Sequence, residues 1–212
     1  MGMLSVLRTV LRLASGVWSK EEKKMPTDNS DWLLFLSLEK DFMATFDYVA
    51  MEKRHYKVFS TAYLKILLAA CAAVEQLGKK HGGLPLNDRS INAKRIANEI
   101  IKKEKALKAQ SKIITVLWEQ ECCIPRFPGL KFVPWAALAK NQIPPWWAEY
   151  NKTKHSSVQT AKLKNVLDCL AGLFCLNLAY YADNLRNLRV SPALYWDKEG
   201  GGYLRTFGYF QP

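Results

Sequence analysis

The sequence predicts an all-α protein: a compact helical bundle of about four to five main helices, with an irregular strap rich in proline and aromatic residues and a short C-terminal tail. Apolar residues recur every three or four positions through several long segments, which is the spacing of a buried helix face. No alternation of strand-like and helix-like segments suggests a parallel sheet. The 212 residues, of which 49% are hydrophobic and 24% charged, are enough for one substantial core.

Residues 1–24 are predicted to form an amphipathic basic segment outside the bundle. Leucines fall near helical spacing, no acidic residue precedes Glu21, and Arg8 and Arg12 interrupt the apolar run. These arginines argue against a secretory signal or a membrane-spanning helix. A helix docked on its own domain, or a leader upstream of a second start at Met25, is favoured over a helix on a membrane surface.

The bundle is predicted over residues 25–182 and begins with two apolar helices. The first is expected over residues 32–51, where apolar positions step by three and four. The second is apolar on most faces over residues 58–77 and should end at the Gly82-Gly83 pair, after three basic residues in its last turn. Charged residues interrupt its apolar run, so a buried bundle helix is favoured over a membrane span.

A third helix, expected over residues 92–112, is strongly basic. The whole chain has 31 Lys and Arg against 19 Asp and Glu, a net charge of +12, and much of the excess lies here, opposed only by Glu99 and Glu104. Such a pattern is typical of a surface that binds the phosphates of RNA or another nucleic acid, and equally typical of a solvated helix face. The candidate RNA-binding residues are Lys94, Arg95, Lys102, Lys103, Lys105 and Lys108.

The second half of the predicted bundle consists of the strap and a long helix. Residues 122–145 combine prolines with aromatic residues, so they are expected to form an ordered strap over the bundle, with a short helix at 134–140. The apolar run over residues 163–178 predicts a long central helix. Residues 183–212 are expected to form a C-terminal arm, whose aromatic pieces around residues 200–202 suggest a small hairpin.

Cysteine usage and absent motifs narrow the chemistry. Five cysteines without a C-x-x-C pair indicate a reduced, cytoplasmic protein, and zinc held by Cys122, Cys123 and two histidines lacks the usual ligand spacing. The chain has no Gly-rich phosphate loop, dinucleotide fingerprint or metalloprotease motif, so we expect no metal and no cofactor. His81 is expected to be a cation at a helix C-terminus and His55 to be exposed, which leaves His155 as the candidate base.

The stretch PPWWAEYNKTKHSS, residues 144–157, surrounds His155. Pro145 suits the first turn of a short helix, which its aromatic residues would anchor to the core. Asn151, Lys154 and His155 then share one face, and the following Ser-Ser-Val-Gln matches a capping box that would open the long helix. A helix N-terminus favours phosphate and a neutral imidazole, so this corner could hold a phosphate beside a base. Alternatively, Asn151 and His155 only bond loop backbone.

The segment PPWWAEYNKTKH before a long apolar helix, the earlier YLKILLAACAAVEQLGK and the IPRF…PW strap together resemble HEPN-superfamily proteins of the bacterial abortive-infection kind, over roughly residues 33–182. The resemblance implies a compact helical bundle that forms a homodimer. Many members of that family are metal-independent endoribonucleases of defence or toxin systems. Their site has an Arg followed directly by a polar residue, and a His at the start of a late helix. Four residues separate the Arg from the His, and two such sites meet at the dimer interface.

Carried over to this chain, the resemblance places the His on His155 and the polar residue on Asn151, while Tyr150 stands where the family has Arg. One hypothesis is a dimeric endoribonuclease in which His155 acts as base or acid, Asn151 orients the substrate and Lys154 replaces the Arg charge at the phosphate. The other is a catalytically degenerate module that binds RNA, or a partner protein of a defence system, without cleavage.

Overall fold

The computed structural model describes residues 29–113, 115–124, 130–153, 161–181 and 196–197. Within them the chain is mostly helical, which confirms the predicted all-α class. Three two-residue strands form a small antiparallel sheet in the order β2-β1-β3. The elements are the helices α1 (Ser30–Ala44), α2 (Thr61–Gly82), α3 (Ala93–Ala109), α4 (Pro145–Thr153) and α5 (Leu163–Tyr180), and the strands β1 (Cys122–Cys123), β2 (Lys131–Phe132) and β3 (Trp196–Asp197).

Helices α2 and α5 form the centre of the bundle and run parallel to each other. Near their first turns, the backbone N–H of Leu163 donates to the carbonyl of Val58 at 2.8 Å. Halfway along, the Sγ atoms of Cys71 and Cys169 are 3.2 Å apart. Near their last turns, the rings of His81 and Tyr180 have centroids 6.5 Å apart. Because the residue numbers rise together on both helices, the intervening segments must return over the outside of the pair.

Helix α1 lies antiparallel to α2 and closes one side of the core. Its first turn meets the last turn of α2 through an ion pair between Asp31 and Lys80, and its other end places Phe42 against Tyr63, with ring centroids 6.2 Å apart. The predicted extension of this helix to residue 51 is wrong. The chain leaves α1 at Ala44 and continues through a 3₁₀ turn, where the Thr45 hydroxyl donates to the carbonyl of Phe42 at 2.7 Å.

Helix α2 ends where the glycine pair predicts. Gly83 adopts the left-handed conformation with φ of 70°, and its N–H bonds back to the carbonyl of Lys80. At the other end, the Ser60 side chain accepts from the N–H of Tyr63. Helix α3 then starts at the Asn92 cap, whose side chain accepts from the N–H of Arg95, and it stops three residues before the predicted end.

The strap crosses the bundle and is fixed by tryptophans. Strands β1 and β2 pair within it, and a 3₁₀ helix covers Ala136–Lys140, inside the predicted range 134–140. Trp135 is fully buried and its Nε1 donates to the carbonyl of Gly172 on α5 at 2.8 Å. Gly172 is required at this crossing, because a Cβ there would lie 2.7 Å from the ring of Trp146. Strap and central helix therefore pack in direct contact.

In the part of the chain that the structure describes, two helices, α2 and α5, are long and apolar enough to cross a membrane, each with a mean hydropathy of 1.2 over its best window. Half of the α2 window and 72% of the α5 window are buried inside the fold. Packing in the bundle core accounts for this apolar character, as it does in the central helices of globular proteins. The predicted basic segment 1–24 lies outside the described residues, and so does the predicted hairpin around residues 200–202 in the C-terminal arm.

Candidate functional site

Helix α4 carries the aromatic half of the predicted corner. Trp147 is fully buried and Trp146 is 2% exposed, and the two indoles stack with centroids 6.0 Å apart. The Trp146 Nε1 donates to the carbonyl of Pro134 at 2.9 Å, which ties α4 to the strap. These contacts confirm that the tryptophans anchor a short helix. Asn151 is half-buried on it.

Lys154 and His155 lie outside the described residues, so the predicted set of Asn151, Lys154 and His155 is neither assembled nor separated by the structure. The position of Tyr150 is clear. Its side chain is 4% exposed and belongs to the hydrophobic core. The place that the HEPN-like motif gives to Arg is therefore an interior position in this chain.

The start of the long helix differs from the prediction. Helix α5 begins at Leu163, with Lys162 as an N-cap that makes no side-chain bond, so the capping box at residues 156–159 does not open it. The N–H groups of Leu163 and Lys164 donate to the carbonyls of Val58 and Tyr56. The first donors of α5 therefore already have backbone acceptors, and the predicted phosphate corner around Lys154 and His155, which lies outside the described residues, stays a prediction.

Helix α3 presents the predicted basic residues to solvent. All six candidate RNA-binding residues are exposed: Lys94, Arg95, Lys102, Lys103, Lys105 and Lys108. We call four of them the basic face, because helical geometry places Lys94, Arg95, Lys102 and Lys105 within about 100° of one another around the axis. Lys102 pairs with Glu99 at 2.7 Å. Among the described residues, no carboxylate lies within salt-bridge distance of Lys94 or Lys105.

The opposite face of α3 holds a buried hydrogen-bonded pair that the sequence interpretation missed. Glu104 is 2% exposed; one of its oxygens is 2.8 Å from His81 Nε2, and the other accepts from the N–H of Leu117 at 2.9 Å. His81 lies in the last turn of α2, as predicted, and is 1% exposed, so it is an interior residue. The sequence did contain a signal for this burial. His81 follows the buried Leu77 by four residues and Glu104 follows the buried Ile100 by four, so each continues the buried face of its helix.

This burial changes the charge of the surface of α3. Of its two acidic residues, only Glu99 remains to oppose the exposed cations, since Glu104 points inward to His81. Beside the helix, a shallow cleft of about 420 Å³ is lined by Lys80, His81, Glu99, Lys102 and Lys103 together with the glycine pair at the end of α2. The imidazole of His81 lies beneath this surface with its Nδ1 buried. The cleft therefore offers a ligand three lysines and the carboxylate of Glu99, while the imidazole of His81 stays covered.

Metal ligands do not gather in the described part of the chain. There, no group of three or more His, Cys, Asp or Glu side chains could hold a metal ion. Cys122 is buried and Cys123 half-buried on β1, and neighbouring side chains of a strand point to opposite faces. The weak zinc hypothesis for these two cysteines gains no support from that arrangement.

No family model, curated protein or solved structure matches this chain. The resemblance of residues 33–182 to HEPN proteins therefore stays a prediction carried by the motifs themselves.

Proposed function

We propose that this chain is an RNA-interacting helical protein that presents the basic face of α3 to the phosphate backbone. The observation that carries the proposal is the concentration of exposed cations along one side of α3. Lys94 and Lys105, at the two ends of this face, are about 16 Å apart along the helix axis. That length spans several backbone phosphates, so the four cations would contact a strand together.

The composition of α3 indicates how the contact works. The helix has no aromatic residue on which a base could stack, and its exposed side chains on this face are mainly Lys and Arg. Such a surface contacts phosphates and reads little base sequence. The preference for RNA over other polyanions comes from the HEPN-like motifs, since charge alone attracts any phosphate backbone.

The test is the salt dependence of RNA binding. A triple variant Lys94→Gln, Lys102→Gln, Lys105→Gln removes three charges from the basic face. We expect it to bind a single-stranded RNA at least about tenfold more weakly, and to lower the slope of log K against log salt by about 2. Fluorescence anisotropy over a range of salt concentrations measures both quantities.

The matched control removes three exposed lysines from other elements: Lys40→Gln, Lys57→Gln and Lys140→Gln. Both triple variants change the net charge equally, so only a contact at the basic face separates them. Equal losses in the two variants would contradict the proposal. Duplex DNA or heparin binding as tightly as RNA would confirm a polyanion surface and reject the choice of RNA.

Between the two HEPN-like hypotheses, the burial of Tyr150 favours binding without cleavage. Arg would supply a permanent charge to the scissile phosphate, and Tyr does not. Moreover, the side chain at this position packs in the core, where a guanidinium would need a partner to offset its desolvation. The homodimer and the setting in bacterial defence, which the same resemblance implies, stay part of the proposal.

Ribonuclease activity is a separate prediction with its own test. If His155 transfers the proton and Lys154 stabilises the charge, the purified protein cleaves RNA in EDTA, and His155→Ala lowers the rate by at least about a hundredfold. His55→Ala is the matched control, because His55 bonds the carbonyl of Ala50 within a surface turn. Cleavage that persists in His155→Ala would remove His155 from the site. If the wild-type protein leaves RNA uncleaved, the ribonuclease hypothesis is rejected and only the hypothesis of binding without cleavage is left.

A further inference from the structure

A second cleft lies at the other end of the central helix pair. Its volume is about 490 Å³, and it opens where α2 and α5 begin, beside the 3₁₀ turn Lys53–His55, strand β2 and the start of α4. Helix α2 has 22 residues and is therefore about 33 Å long, with the cleft beside His81 at its far end. The two clefts are separate features of the molecule.

Three lysines and one carboxylate line this second cleft. Lys164 Nζ lies 2.6 Å from an oxygen of Asp168 and 5.7 Å from the centre of the Tyr56 ring. Lys131 has its nearest carboxylate oxygen, on Glu121, at 3.6 Å. Lys53 has no carboxylate within salt-bridge distance among the described residues. The excess of ammonium groups over carboxylates favours an anionic ligand.

The remaining walls of the cleft are apolar. Phe132, Pro134 and Trp146 are buried beneath the cleft, whereas Val133, which is 40% exposed, and the exposed Pro145 present apolar surface to it. A fully hydrated inorganic anion would leave this surface in contact with water. A ligand that joins an anion to a flat apolar group would cover it, and the volume is within the usual range for a small-molecule site.

Hydrogen bonds hold the walls in place. Trp146 is tied to the carbonyl of Pro134 at 2.9 Å, and the backbone N–H groups of Leu163 and Lys164 reach Val58 and Tyr56. Strap, turn and central helix are thus joined around the cleft. A ligand would find the walls already formed, which lowers the entropic cost of binding.

We propose that this cleft binds a nucleoside monophosphate unit, with its base against the apolar wall at Val133 and its phosphate among Lys53, Lys131 and Lys164. A sugar phosphate lacks the apolar surface to cover the wall, and a fatty acid would need a longer apolar channel. The unit occurs both as a free nucleotide and at the 5′ end of an RNA strand. The site does not use the basic face of α3, so it stands apart from the proposed RNA contact.

Calorimetry with AMP, adenosine and ribose 5-phosphate tests the chemistry of the ligand. We expect AMP to bind at least about tenfold more tightly than either fragment, because each fragment lacks one of the two contacts.

Tetranucleotides with and without a 5′ phosphate then separate the two sources of the ligand, a free nucleotide and the 5′ end of an RNA strand. Tight binding of only the phosphorylated strand identifies an RNA end, and tight binding of AMP itself identifies a free nucleotide. Binding of neither would overturn the proposal, as would equal affinities for AMP and adenosine.

Variants locate the site. Lys53→Gln should weaken binding of the nucleotide about fivefold or more, whereas Lys57→Gln, an exposed lysine four residues away that does not line the cleft, should leave it unchanged. Ala136→Trp, at an exposed position on the rim, should fill the cleft and abolish binding without changing the melting temperature. Normal binding in Ala136→Trp would reject this cleft. The α3 triple variant should bind the nucleotide as tightly as the wild type. A failure of the RNA-binding proposal and a failure of the nucleotide-site proposal can therefore be told apart.

Discussion

His81 and Glu104 join three segments of the fold through two side chains. His81 comes from the last turn of α2 and Glu104 from the fourth turn of α3, and Glu104 also accepts from the backbone N–H of Leu117 in the following loop. Each group is almost completely removed from water. In this setting the loss of one partner leaves the other polar group buried and unpaired, which is the costly outcome for an interior pair.

Replacing Glu104 by Leu should therefore destabilise the protein by about 3 kcal/mol. The double variant His81→Leu, Glu104→Leu should cost less than the sum of the two single variants, because no unpaired imidazole remains. Urea denaturation measures these differences. Glu99→Ala, on the exposed side of the same helix, is the control and should stay within about 0.5 kcal/mol of the wild type. Additive single and double variants would show that the two side chains do not act as a pair.

Asp168 should make the stability of the protein depend on pH. Burial raises the pKa of its carboxyl above the ordinary 3.8, and Lys164 opposes that rise only in part. The folded state thus holds this proton more strongly than the unfolded chain does. The stability that Asp168 contributes is fully present below pH 3.8 and is lost as the pH rises through the folded pKa.

An Asp168→Asn variant lacks this titration. We expect its free energy of unfolding, relative to the wild type, to increase as the pH rises from about 4 through the folded pKa of Asp168. Lys164→Gln should have the opposite effect and steepen the loss of stability with pH, since Lys164 favours the charged carboxylate. Urea denaturation at several pH values measures all three proteins. A difference between Asp168→Asn and the wild type that does not vary with pH would contradict the prediction.

At the scale of elements, the sequence predicted the helices better than their ends. The glycine pair at the end of α2 located its last turn because Gly83 adopts a conformation that other residues avoid. The end of α1 was placed too late because Phe46 and Val49 continue the apolar spacing. Both side chains pack against the core although they lie beyond the end of the helix, so their apolar spacing indicated burial and not helical conformation.

The start of α5 was missed for a different physical reason. A capping box satisfies the first N–H groups of a helix with nearby side chains, and residues 156–159 match that pattern. In the structure these N–H groups bond instead to the carbonyls of Tyr56 and Val58, about a hundred residues earlier in the chain. A long-range backbone contact of this kind leaves no local pattern.

At the scale of the whole molecule, the charge is unevenly placed. The central pair α2 and α5 is apolar over most of its length, while α3 carries six exposed cations on the outside. Basic faces on two copies of the chain, each with a net charge of +12, repel each other. In the homodimer that the HEPN resemblance implies, the basic faces of α3 should therefore lie away from the interface.

This arrangement predicts opposite responses to salt for dimerisation and RNA binding. Screening weakens the repulsion between two basic chains, so the dimer should become more stable as the salt concentration rises. The same ions compete with the basic face for phosphates, so RNA binding should become weaker. Light scattering after gel filtration, at several salt concentrations, measures the first response, and anisotropy with labelled RNA measures the second. A mass of one chain at every salt and protein concentration would contradict the dimer. A dimer that weakens with salt, as RNA binding does, would show that attraction between opposite charges holds the interface and would contradict the repulsion argued here.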